Sequence, residues 1–134
     1  MKTHPFLRAY MAGIAAPTVG LLFAVTAFVV ARYVYDVPVP IERVIMFPMA
    51  VVPNLWGVWN MLHLAIARDR WTIGAHGALL PLVLIPLGVT LARVFDIAAI
   101  TPHFVAIVAP LAMAVYYLAW KFLVGYFNEV LGIG

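Results

Sequence analysis

Residues 9–31 read AYMAGIAAPTVGLLFAVTAFVVA, 23 consecutive positions without a charge. At 1.5 Å per residue a helix of that length spans about 34 Å, enough for the roughly 30 Å hydrocarbon layer of a bilayer. Three further charge-free windows follow, at 44–67, 71–92 and 97–120, of 24, 22 and 24 residues. The charges are confined to the segments between them: Lys2 and Arg8; Arg32, Asp36, Glu42 and Arg43; Arg68, Asp69 and Arg70; Arg93 and Asp96; Lys121 and Glu129. The pattern predicts an all-α integral membrane protein. Its four transmembrane helices, at about 9–31, 44–67, 71–92 and 97–120, are expected to pack as one compact bundle over residues 1–134.

Composition agrees. Of the 134 residues, 66% are hydrophobic and 10% charged, against about 45–50% and 25% in soluble domains. Four spans leave only short loops and tails, with no room for a soluble catalytic domain, so no enzyme is expected. The chain has no cysteine, which excludes disulfides, thiolate metal sites and thiol nucleophiles. The net charge of +3 comes from basic residues at span ends, where they orient helices and meet headgroups, so no nucleic-acid partner is implied. The first window is longer than a signal-peptide core, and an uncleaved first helix is expected. The N-tail, the 68–70 loop and the C-tail carry five Lys and Arg against three in the two opposite loops. That excess predicts an inner (cytoplasmic) membrane with both termini cytoplasmic.

Every window contains proline, at Pro17, Pro48, Pro53, Pro81, Pro86 and Pro110. Each removes a backbone donor, so kinks are expected, with Met49, Gly77 and Leu82 as candidate freed carbonyls. The first helix lines up Gly13, Pro17, Gly20, Ala24, Ala27 and Ala31 on one face, and the third lines up Gly74, Ala78, Pro81, Ile85, Gly88 and Ala92. In lipid, close packing of small residues is a main source of association. The expectation is that helices one and three form the inner contact, or that the Gly13, Gly20, Gly74 and Gly88 faces meet other membrane subunits or a second copy. The two faces are offset by 61 residues, as are Ala31-Arg32 and Ala92-Arg93, and Trp59 and Trp120; Asp36 and Asp96 are offset by 60. These matches suggest two repeated two-helix units related by a pseudo-twofold along the membrane normal.

The segment from Pro53 to His63 is the densest in polar and aromatic residues. Trp56, Asn60 and His63 share a helix face, with Asn54 deepest and Trp59 near the membrane edge. Such a wall suits a quinone headgroup, a pigment or a small cation, and equally suits interfacial rings and helix-to-helix hydrogen bonds. His63 and His76 are equidistant from the 68–70 turn, so they are expected at one depth on adjacent helices. Axes 8–10 Å apart leave no space for a haem plane between them, and no third ligand is near. No cofactor and no metal are therefore predicted. The apolar tail from Lys121 either continues helix four or lies along the interface.

The function that these features favour is a non-enzymatic helical subunit or homo-oligomer of a membrane complex. A channel or transporter for a small solute, and a haem-, quinone- or pigment-binding subunit of a redox or photosynthetic complex, are the alternatives. Reporter fusions after residues 38 and 99 are expected to report the outer side and one after residue 70 the inner side. An inner signal at residue 38 reverses the orientation.

Overall fold

The computed structural model describes residues 4–38, 50–96 and 100–133, and every regular element among them is helical. Helix α1 is Pro5–Tyr33. Helix α2 is Val52–Leu62 and runs into a π turn at His63–Ala67. Helices α3 (Ile73–Ala78) and α4 (Pro81–Val94) form one broken rod. Helix α5 (Pro102–Ala119), a π turn at Trp120–Val124 and α6 (Gly125–Val130) form another. Three of these four helical stretches, Pro5–Tyr33, Ile73–Val94 and Pro102–Val130, are long and apolar enough to cross a membrane. The start of the second expected span, residues 44–49 with Pro48 and Met49, lies outside the described residues.

The ends follow local chemistry. Thr72 and Thr101 stand in extended conformation before α3 and α5, and their hydroxyls accept from the amides of Ala75 and Phe104. Pro5, Pro81 and Pro102 begin their helices, where a missing N–H costs nothing. Past α1 and α4 the chain turns at Asp36 and Asp96, both left-handed at φ 55° and 51°. Aspartate tolerates that region better than most residues.

The break before Pro81 is the kink expected there. Leu79, Leu80, Leu82 and Val83 donate to carbonyls three residues back rather than four. The helix tightens and re-satisfies its backbone. Gly77 is not left with a free carbonyl, because the Leu80 amide donates to it at 3.1 Å. The fourth stretch runs to Val130 instead of stopping at 120, so the apolar tail continues the helix.

Among the described residues, the expected inner contact between helices one and three is not the principal one. Helix α1 packs along α2, α3 packs along α5 and its π turn, and the start of α1 meets α6. The reason is steric and lies at the glycines. A Cβ on Gly13 would sit 2.5 Å from the Trp56 carbonyl oxygen and 2.8 Å from the Gly57 Cα, so α1 and α2 touch backbone to backbone. Gly74 lies against Tyr117 and Lys121, and Gly77 against the Trp120 ring. The small faces are thus used within each hairpin. Gly20, in contrast, has nothing among the described residues within 4 Å of where its Cβ would be. Gly88 lines an apolar groove with Leu84, Phe104 and Tyr116.

At the centre Trp56, Leu80, Leu84, Trp120 and Val124 form one buried cluster. Lipid is as apolar as leucine, so this cluster holds by fit and dispersion rather than by exclusion of water. Gly77→Ala is therefore expected to lower stability by about 1–3 kcal/mol through overpacking against Trp120. Gly20→Leu is expected to leave it within about 0.5 kcal/mol. Thermal unfolding of both variants in detergent micelles checks the pair; equal loss in both refutes the packing described.

Candidate functional site

The helix-two wall is built by α2 and met from three sides. Asn60, 1% exposed, donates from Nδ2 to the Ala9 carbonyl of α1 at 2.7 Å and to Asn128 Oδ1 of α6 at 2.7 Å. Asn128 Nδ2 returns a bond to Asn60 Oδ1 at 3.2 Å. Two buried amides thus satisfy each other and join three helical stretches.

Asn128 is the residue that sequence reasoning missed. Regular helical steps of four overshoot a full turn by about 40° each. Trp120, Val124 and Asn128 would then drift apart around a straight α-helix. The π turn at Trp120–Val124 widens the coil and takes up the overshoot, and all three side chains are buried.

One helix turn away lies a second reciprocal pair. Trp59 Nε1 donates to the His76 carbonyl at 2.8 Å, and His76 Nε2 to the Trp59 carbonyl at 2.8 Å. The two rings stack at 4.9 Å between centroids. Because a carbonyl only accepts, the His76 proton is on Nε2. His63 likewise directs Nε2 at the Trp71 carbonyl, at 3.3 Å. The structure brings His63 and His76 together, with centroids 4.9 Å apart and planes tilted by 58°. The rings are in direct contact, with no space for a planar macrocycle between them. His76 reaches helix two on one side of α3 while Gly74 and Gly77 press helix four on the other.

Trp56 is buried between Tyr116 and Trp120, at 5.0 and 5.3 Å between centroids, and its Nε1 donates to the Tyr116 hydroxyl at 3.3 Å. Asn54 stands apart from these residues. It accepts from the Tyr10 hydroxyl of α1 and donates to the Ala50 carbonyl at 2.6 Å. Its demand for a partner in the membrane is thus met by a neighbouring helix and its own backbone. The indole N–H of Trp120 is buried with no hydrogen-bond partner among the described residues.

Beside the wall, where the 68–72 connection meets the ends of α1, α2 and α6, lies a cavity of about 390 Å³. Asn60 and Asn128 border it together with His63, Arg68, Asp69, Thr72 and Glu129. Among the described residues no three histidines, cysteines or carboxylates converge as metal ligands. Taken together, the described residues form an all-helical structure with three helices long and apolar enough to cross a membrane, knitted at one end by paired polar side chains. Comparison with protein-family models, with characterised proteins and with solved structures found no match.

Leucine at Asn60 or at Asn128 is expected to cost about 1–2 kcal/mol, since each leaves the other amide buried without its partner. The double variant is expected to cost less than the sum of the singles. Unfolding in micelles measures this cycle; strict additivity would show that the two amides act independently.

Proposed function

We propose that this chain is a non-enzymatic helical subunit of a membrane complex, assembling with copies of itself or with other membrane subunits. The observation that carries the proposal is the division of α1. Its first half buries Ala9, Ala12, Gly13 and Pro17 against the rest of the chain, while the same face continues to Gly20, against which none of the described residues packs. A strip of small residues lets a second helix approach to backbone distance, which is how helices associate in lipid. The buried polar groups of the helix-two wall are meanwhile engaged with neighbouring helices and backbone carbonyls, which supports a structural role for its buried part over a ligand-binding one. The Gly77 carbonyl is engaged as well, which weighs against a path for ions lined by freed carbonyls.

The two-helix repeat belongs to the same proposal. Gly13 rests on Trp56, and Gly74 rests on Tyr117; both members of the contact shift by 61. Asp36 and Asp96 turn the chain alike at the ends of the first and third stretches. These correspondences support two hairpins of one design, related by a pseudo-twofold along the membrane normal and closed into a four-helix bundle. The distribution of Lys and Arg supports an inner membrane with both termini cytoplasmic.

The absence of native cysteine makes the test direct. Single cysteines at Gly20, Ala24 and Ala27 are expected to give cross-linked species in native membranes. A cysteine at Phe23, 71% exposed and off the small-residue face, is expected to give little. Chains that stay monomeric at all four positions would refute assembly through this face.

A further inference from the structure

We propose that the cavity beside the 68–72 connection is a binding site for a phosphoamine, a group carrying a phosphate and a primary ammonium together. Its volume of about 390 Å³ falls in the range of about 300–1,000 Å³ typical of small-molecule sites. The site is independent of the subunit reading and rests only on the chain's being in a membrane.

The chemistry is in the lining. Arg68 brings a permanent cation with a fork of N–H donors, the geometry that recognises phosphate. Asp69 and Glu129 bring two carboxylates, the natural partners of an ammonium group. No ion pair joins these charges to one another among the described residues. A phosphate alone would bring its charge beside two carboxylates. An amine alone would leave the guanidinium without a counter-ion. A ligand bearing both charges answers all three groups.

The neutral groups fit the same ligand. Thr72 accepts from the Ala75 amide, which leaves its O–H free to donate to a phosphate oxygen. His63, with Nε2 turned to the Trp71 carbonyl, offers Nδ1. The floor is rigid, because Asn60 and Asn128 are locked in their amide pair. Position supplies the last argument. The cavity opens at the span ends beside the exposed Trp71, at the level where headgroups and aromatic belts lie.

Two sources supply this chemistry, the ethanolamine headgroup of a membrane phospholipid and soluble phosphoethanolamine. The full chain is placed in nanodiscs of phosphatidylcholine, and thermal unfolding is followed as part of the lipid is replaced by phosphatidylethanolamine or phosphatidylglycerol. In a second arm, soluble phosphoethanolamine is added to pure phosphatidylcholine discs. Phosphatidylethanolamine is expected to raise the midpoint above both other lipids, because only its primary ammonium combines a positive charge with N–H donors for Asp69 and Glu129. A rise with the soluble compound alone assigns the site to a free phosphoamine instead. Arg68→Gln and Glu129→Gln are each expected to weaken binding about tenfold or more, the scale of one charge-assisted hydrogen bond. Both positions are exposed, so both variants are expected to fold, and the rise is read against each variant's own midpoint in pure phosphatidylcholine. No rise with either probe, an equal rise with phosphatidylglycerol, or a rise that survives both substitutions would overturn the proposal.

Discussion

An amide buried among apolar helices must find its partners inside the protein, since hydrocarbon offers none. Asn60 carries that obligation here, and it is met by the Ala9 carbonyl and by Asn128. The arrangement of the helices depends on this one constraint. The start of α1, the middle of α2 and the end of α6 must converge on a single point. The Trp59 and His76 pair adds the first turn of α3 to the same end. Each interhelical hydrogen bond in lipid is worth only about 0.6 kcal/mol on average. Their effect is to fix which helix faces select one another.

Packing then follows the hydrogen bonds. With hydrocarbon outside and hydrocarbon inside, burial of leucine favours no particular neighbour. Contact distance decides instead, and glycine permits the shortest contacts. Gly13 lets α1 reach the backbone of α2, while Gly74 and Gly77 let α3 receive Tyr117 and Trp120. The polar cavity is a consequence of the same knot. The helices that meet at Asn60 part again at the 68–72 connection, and the charges of that connection and of α6 face the space between them.

Parts of the site were legible because they depend on spacing alone. His63 and His76 were expected at one depth from their equal distance to the turn, and their rings do meet. Trp56 and Asn60 were expected on one face, and both are buried together. Asn128 was not legible, because a regular helical repeat does not align it with Trp120; a π turn does, and nothing in Trp-Lys-Phe-Leu-Val announces one. The inner contact was misplaced for a related reason. Two helices with small-residue faces look like partners in sequence, yet each face also fits the large residues of its own hairpin mate. Trp56, Tyr117 and Trp120 fill those faces first.

What the sequence by itself determined is the solvent. Charge-free windows of more than 20 residues call for a hydrocarbon surround, and three of the four expected spans are helices long and apolar enough to cross one. Which helices touch, and through which residues, was decided only by the tertiary structure. In lipid the energy differences between alternative pairings come from sub-ångström fit and from a few hydrogen bonds. Those quantities depend on the kink before Pro81 and on the π turns at His63–Ala67 and Trp120–Val124. They are properties of the folded backbone rather than of any pattern along the chain.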